Sequence, residues 1–490
     1  MLPFKTLIPL SKNPATPVYR QIANGLVSLI RNGIIKPGSS LPPGREMAAH
    51  LQVHRKTIVA AYEELNAQDW IEIFPRKGVW VSNLLPDLKP RTFKAATKAS
   101  GYADNTGFTF QTLGSVSSQA AKAGDHRIIL NDGFPDARIA PLDLLFKEYR
   151  DLLRRRGVER SMMYGGQAGS MNLRAAIAQF LSETRGISIR VENVLTSHGA
   201  QMAIFMAARI ILKPGSTVIV GEPNYFMANM IFEQFGAKLI RVPVDDNGID
   251  VNAIEKICKK KKPGLLYIIP HHHHPTTVTL SADRRMKLLQ LIREYDLPVI
   301  EDDYDYDFHY SSSPILPLAS ADHGGNVIYI GSLSKSLAPS LRIGYMAAPE
   351  RFINEAAHLR RMIDIRGDNL FEDALAILFE NGHMQRHLKK SLKLYHERRD
   401  MFCKWIEDGL GDSISFNKPA GGMAVWIKFN KKYSLPAIAR KASAQNLYLS
   451  DGGFYNSGTV NYNALRMGFA SLNEKEMEEA VGILKKIVLC

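Results

Sequence analysis

Four short apolar runs, at residues 217–220, 265–269, 298–300 and 327–330, recur through the middle of the chain with amphipathic stretches such as Ala282–Glu294 between them. Strand-like and helical segments in alternation predict a largely parallel α/β sheet with helices packed on both faces. Beyond residue 370 the pattern changes to a long basic helical segment near 386–407 and short strands near 423–429 and 465–469, which reads as a smaller α+β part. With 490 residues the chain has room for roughly three domains and a large core.

The N-terminal stretch is built differently. Thr16-Pro17 reads as a helix cap followed by proline at the first helical position, and Val18, Ile22, Leu26 and Leu29 then share one face. Gly33 and Pro37-Gly38 end that helix. Pro42-Pro43-Gly44 precedes a short second helix carrying Met47, Ala48 and Leu51. The turn Gln52-Val53-His54 leads into a third helix from Arg55 to about Gln68, with Ile58, Tyr62 and Leu65 inward. Two alternating strands near 71–73 and 79–81 flank a basic hairpin tip, Pro75-Arg76-Lys77-Gly78. The order is helix, helix-turn-helix, wing, over residues 12–82. Residues 83–125 shift to Lys, Ala, Ser, Thr and Gly with Pro86 and Pro90, and so long a stretch without periodicity marks a linker. The remaining body, 126–490, divides into a large part at about 190–370 and a small part from about 126–189 and 371–490.

Apolar content of 45% and charged content of 22% exclude disordered and fibrous classes. The formal charge is +14; in residues 1–85, 10 basic side chains face 5 acidic ones, so the small N-terminal segment is disproportionately basic and favours a polyanionic partner. Cys258, Cys403 and Cys490 lie far apart without metal-ligand spacing, which fits a reducing cytosol and no disulfide. The first ten residues are too short and proline-broken for a signal segment, and no run approaches a membrane span, so a cytoplasmic protein without a membrane partner is expected.

Arg55-Lys56-Thr57 open the third helix, the end of a recognition helix that meets the major groove, while Arg45 and Arg76-Lys77 are placed to clamp the backbone on either side. Their expected partner is double-stranded DNA. A second cluster lies in the α/β body. Gly331-Ser332-Leu333-Ser334-Lys335 sets a lysine beside two hydroxyls, with Arg342 expected one to two helical turns further on. Asp302 follows a buried strand, where an open α/β sheet collects ligand groups. Ser197-His198-Gly199-Ala200-Gln201 leads into a helix whose amides and dipole suit an anion, and Tyr225 offers an aromatic face. Pyridoxal phosphate requires this set: a Schiff-base lysine, a carboxylate on the ring nitrogen, a stacking ring and donors to the phosphate.

In these motifs the N-terminal segment resembles the winged helix-turn-helix of the GntR superfamily, through Leu41-Pro42-Pro43-Gly44-Arg45-Glu46-Met47-Ala48 and Val53-His54-Arg55-Lys56-Thr57-Ile58. Residues 126–490 resemble fold-type I aminotransferases, and the whole chain resembles a MocR-type, GabR-like regulator. The resemblance implies Lys335 as Schiff-base lysine, Asp302 on the ring nitrogen and Tyr304 as donor to the phenolic oxygen, with Ala200, Gln201, Ser332 and Arg342 around the phosphate. It implies that Tyr164 reaches toward a neighbouring subunit's cofactor and that Arg466 binds an effector carboxylate as a bidentate partner. It also implies a homodimer, head-to-tail.

Several positions depart from the family pattern. Gly44 stands where a serine is usual, and glycine serves as an N-cap at little loss. The loop that resembles Ser-His-Gln-Tyr-Pro-Thr-Gly reads Pro270-His271-His272-His273-His274-Pro275-Thr276-Thr277. Consecutive histidines point different ways and have no Cys, Asp or Glu within a few residues, so no metal is expected; His273 or His274 is assigned to the cofactor. Thr277 replaces a glycine, and Met227 lies where some relatives place a second effector-binding arginine. The reading is a transcriptional regulator that senses pyridoxal phosphate, an amino acid or an amine; the alternatives are a working aminotransferase and a sensor of the cofactor alone.

Overall fold

The computed structural model describes residues 2–11, 16–75, 77–85, 105–110, 126–163, 165–311, 315–365, 367–457 and 460–489. The chain divides into two units, Met1–Ser115 and Val116–Cys490.

The first unit holds helices Val18–Arg31, Gly44–Leu51 and Arg55–Ala67 with strands β1 (Ser40–Leu41), β2 (Ile71–Phe74) and β3 (Gly78–Val81). The strands form an antiparallel sheet in the order β1-β3-β2. Ile22, Leu26, Ile58 and Leu65 are fully buried at the centre of its core. The Tyr62 hydroxyl donates to the Pro42 carbonyl at 2.8 Å, which fixes the chain just ahead of the second helix.

Three local expectations change. Pro17, with an extended ψ of 142°, occupies the N-cap, so the first helix starts at Val18 and Thr16 lies outside it. Pro43, at ψ 149°, likewise caps the second helix, and Gly44 is its first helical residue rather than its cap. The unit also begins before residue 12. A four-residue helix, Phe4–Leu7, precedes it, and Phe4 and Ile8 join its core. Ile8 comes so close to the first long helix that a Cβ on Gly25 would lie 2.6 Å from its Cγ2, so a mid-helix glycine makes the space.

In the second unit the strands are β4 (Ile128–Leu130), β5 (Val194–Ser197), β6 (Thr217–Glu222), β7 (Lys238–Asp245), β8 (Gly248–Ile249), β9 (Leu265–Ile268), β10 (Val299–Asp303), β11 (Val327–Ser332), β12 (Gly344–Ala347), β13 (Ile414–Ser415), β14 (Ala424–Phe429), β15 (Leu447–Leu449) and β16 (Ala464–Gly468). Eight of them make the large sheet, in the order β5-β12-β11-β10-β9-β6-β7-β8. The four apolar runs are its parallel centre, β6, β9, β10 and β11, while β12 runs antiparallel between β11 and β5. Side chains alternate between two cores. Val218 and Val220 pack with helices Ala200–Ile211, Phe226–Gln234 and Glu350–Ile363, and Ile219 packs with Val251–Lys260 and Ala282–Glu294 on the other face. Strands covered on both faces need apolar residues at every position, which is why these runs are continuous.

The smaller antiparallel sheet, β13-β14-β16, shares a core with the long helix His383–Leu410 and with Glu474–Leu489. β4 pairs in parallel with β15 beside it. No helix among the described residues is long and apolar enough to cross a membrane.

Leu26 is fully buried in the small first core. Leu26→Ala is expected to cost about 2–5 kcal/mol of that unit's stability, measured as a shift in its urea unfolding transition in the full chain.

Candidate functional site

In the first unit, helix Arg55–Ala67 is capped by His54, whose Nδ1 accepts from the Lys56 amide at 3.2 Å. That cap sets Arg55 and Lys56 on the open first turn, exposed, with Thr57 half-buried and Ile58 in the core behind them. Arg45 and Lys77 are exposed as well. Arg76 lies outside the described residues.

In the second unit, a cavity of about 250 Å³ opens where β10 and β11 end and helix Ala200–Ile211 begins. Lys335, Asp302, Tyr304, Tyr225, Ala200, Gln201, Ser332, Ser334, Arg342 and His274 all line it. Tyr164 lies outside the described residues.

The carboxyl of Asp302 is buried at the end of β10. Tyr267, on the neighbouring β9, donates its hydroxyl to Oδ2 at 2.7 Å, while Oδ1 is buried without a partner among the described residues. Burial pushes this carboxyl up to about 7, against the Tyr267 hydrogen bond and with Asp303 and Asp305 adding to the rise. Lys335 follows β11, and its Nζ donates to the Gly133 carbonyl at 2.6 Å. Burial lowers its ammonium to about 8, with Asp132 pulling the other way. A lysine amine that sheds its proton this readily is a competent nucleophile toward an aldehyde.

An anion cup forms one wall. Gly199, at φ 81°, caps helix Ala200–Ile211, and a Cβ on it would lie 2.6 Å from an Arg342 Nη2. Glycine therefore lets the guanidinium reach the helix's free amides, where it donates to the His198 carbonyl at 3.3 Å. The Ser334 Oγ is buried without a partner among the described residues. Arg342 arrives there without the helical turns expected after Lys335. Pro339 interrupts the segment, a 3₁₀ turn spans Pro339–Leu341, and Arg342 itself sits at φ 51°.

The histidines are divided among different partners. His271 Nδ1 lies 3.2 Å from Asp303, His272 Nδ1 3.0 Å from Asp305, and His274 Nε2 2.7 Å from Asp132. Of the pair assigned to the cofactor, only His274 faces the cavity. His273 turns to Thr276 Oγ1, 2.8 Å from its Nδ1, and lines a separate crevice beside Tyr267, because adjacent side chains diverge and one pocket admits only one of them. Tyr225 meets His274 edge-on at 5.0 Å and donates to Gln201 Oε1 at 3.1 Å. Thr277, in place of the usual glycine, adopts the left-handed φ of 64° itself.

Arg466, on β16, does not line the cavity. It is buried, and its Nε pairs with Asp132 Oδ1 at 3.1 Å. Asp132 and Tyr267 are absent from the sequence-derived set. Tyr267 reads as one more apolar residue of a strand, and its hydroxyl acquires meaning only through the β9-β10 pairing. For Asp132 a signal existed, an acid in Asn131-Asp132-Gly133-Phe134 directly after β4.

Residues 144–484 match the family described as aminotransferase class I and II, and residues 18–81 match the gntR family of bacterial regulatory proteins. The chain is 30% identical to the HTH-type transcriptional regulator YdfD of Bacillus subtilis over 94% of each chain. It is 27% identical to the probable rhizopine catabolism regulatory protein MocR of Rhizobium meliloti, over 99% of this chain and 96% of that one. Among solved structures it resembles LysN, an alpha-aminoadipate aminotransferase from Thermus thermophilus complexed with N-(5'-phosphopyridoxyl)-L-leucine, with a TM-score of 0.71, 25% identity, and coverage of 76% of this chain and 95% of that one.

Tyr267→Phe removes the one donor that Asp302 has among the described residues. A loss of about 1–3 kcal/mol is expected. The Asp302 carboxyl already titrates near 7, above its ordinary value of 3.8, so its charged form is penalised as pH rises. Without Tyr267 the carboxyl moves higher still, and the variant's deficit should be small in mild acid and grow as pH rises through about 7, read from urea unfolding across pH.

Proposed function

Because the chain belongs to the aminotransferase class I and II family and carries a gntR-family domain ahead of it, we propose that it is a pyridoxal phosphate-dependent DNA-binding transcriptional regulator of MocR type. The observation that carries the reading is a cofactor cradle on the same chain as an exposed recognition helix. Two orphaned buried atoms test the fit: Asp302 Oδ1 suits a protonated ring nitrogen, and Ser334 Oγ, beside the Ala200–Ile211 helix terminus and Arg342, suits a phosphate. Pyridoxal phosphate, when bound, supplies an aldehyde that takes up primary amines.

Each residue then has a task. Lys335 presents its amine, Asp302 accepts at the ring nitrogen, and Ala200, Gln201, Ser332, Ser334 and Arg342 hold the phosphate. Tyr225 and His274 offer ring faces, and the Tyr304 ring, whose centroid is 5.7 Å from Lys335 Nζ, carries a hydroxyl that donates to the His272 carbonyl at 3.0 Å. On the DNA side, Arg55, Lys56 and Thr57 enter the major groove and Arg45, Arg76 and Lys77 hold the backbone. The regulator acts in the cytoplasm as a head-to-tail homodimer, since paired half-sites require paired readers. Its effector is pyridoxal phosphate together with an amino compound. It regulates to the extent that the effector binds one arrangement of the DNA-reading domains more tightly than another.

Lys335→Ala should abolish the visible absorbance that the wild-type chain gains with pyridoxal phosphate, and an unaltered band would overturn the assignment. In the wild type the rate at which that band develops should rise with pH and level off above about 8, where the Lys335 amine is neutral. Lys77→Ala, at the exposed wing tip assigned to the backbone, should weaken binding to all duplex sequences alike and reduce the slope of log affinity against log salt by about 1, measured by fluorescence anisotropy.

A further inference from the structure

Of the two guanidiniums at or beside the cavity among the described residues, Arg342 is assigned to the phosphate and Arg466 is left for an effector's acid, and the chain already supplies an acid to it. Asp132 Oδ1 lies 3.1 Å from its Nε, an ion pair without hydrogen-bond geometry, and the Pro275 carbonyl and the Tyr304 hydroxyl, which also face Arg466, are neutral and 3.4 Å away. Asp132 is held firmly in that place. The Tyr455 hydroxyl donates to Oδ1 at 2.8 Å and His274 Nε2 lies 2.7 Å from Oδ2. Although burial opposes its charge, His274, Arg466 and Lys335 keep its carboxyl far below the ordinary range.

The order of the pair matters as much as its existence. The Asp132 side chain is 40% exposed and lines the cavity, whereas Arg466 is 1% exposed and lies behind it. A ligand entering beside Lys335 therefore meets a carboxylate first. A carboxylate or sulfonate on that ligand would have to part Asp132 from three partners or lie beside its charge, which is costly. Helix Phe226–Gln234, on the wall that begins at Tyr225, contains no basic residue to offer a substitute, and Met227 is its second residue.

We propose that the effector is a primary amine carrying no acidic group, and that Asp132 sets this selectivity by occupying Arg466. The inference rests on the cofactor-binding reading above and narrows its ligand class.

The test uses the full chain loaded with pyridoxal phosphate. Ethylamine is compared with L-alanine, and propylamine with 4-aminobutyrate, each pair differing by one carboxylate. Binding is read by calorimetry and by the change in visible absorbance. In the wild type each amine should bind at least about tenfold more tightly than its acid partner. Asp132→Asn keeps the shape and removes the charge facing Arg466, so the preference for each amine over its acid partner should fall about tenfold or more. A wild-type chain that binds the acids as tightly as the amines, or binds neither, overturns the inference, as does an Asp132→Asn variant with the wild-type preference. A chain that gains no absorbance with pyridoxal phosphate would instead bring down the parent reading and this one with it.

Discussion

A carboxylate sunk at the end of a central strand, held by one oxygen and left open at the other, is the constraint around which the second unit is arranged. Strand register delivers it. β10 lies between β9 and β11, with Ile300 opposite Tyr267 and Asp302 opposite Ile330. That alignment brings the Tyr267 hydroxyl to Asp302 and carries β11 two residues further, to Ser332 and the loop with Lys335. A slip of one residue would turn Asp302 to the opposite face and the whole site would dissolve. Burial, with Asp303 and Asp305 nearby, disfavours the charge of this carboxyl and raises it to about 7. Unmet hydrogen-bonding capacity inside a closed site is what a ligand group can satisfy.

The acids around Asp302 explain the histidines. Residues 301, 303, 305 and 307 are all acidic, yet among them and Asp302 only Asp302 lines the cavity. Glu301 accepts from the amides of Leu318 and Ala319, Asp303 from Tyr329 with His271 beside it, and Asp307 pairs with Arg185. Asp305 has His272. Two of the four consecutive histidines are thus counter-groups for the strand next door, and a third, His274, positions Asp132. Adjacency in sequence already set the rings apart; tertiary pairing gives His271, His272 and His274 a different carboxylate each and His273 the Thr276 hydroxyl.

The fold was legible where a strand is buried on both faces, because continuous apolar runs then write themselves into the sequence. β5, β7 and β12 were not foreseen. β5 and β12 are four residues long, and β7, with Lys238, Arg241 and Pro243, mixes polar and apolar residues without a clean run. Residues whose chemistry a short motif concentrates, such as Lys335 between serines or Asp302 after a strand, stand out in the sequence, and both line the cavity. Those whose role is created by distant packing do not stand out. Tyr267 is apolar in pattern and polar in effect, Asp132 finds Arg466 more than 330 residues away, and which of His273 and His274 faces inward depends on a turn. Arg342 was located but its path was not, since Pro339 breaks the helix that spacing suggested.

Lys335 also links parts of the second unit that its sheets keep separate. Its Nζ is held by the Gly133 carbonyl, and the segment that follows Gly133 is anchored to the long helix His383–Leu410. The Asp136 amide donates to the Tyr395 hydroxyl at 2.9 Å, and Arg398 donates to Asp136 Oδ2 at 2.9 Å. Arg138 extends the same anchor to Glu476 on the C-terminal helix. A single hydrogen bond therefore joins the lysine of the large sheet to a loop that belongs mechanically to the small part. Any group that engages the Lys335 amine competes with the Gly133 carbonyl for it. Occupancy of the cavity thus bears on that contact, and only two residues, Phe134 and Pro135, separate Gly133 from the Asp136 anchor.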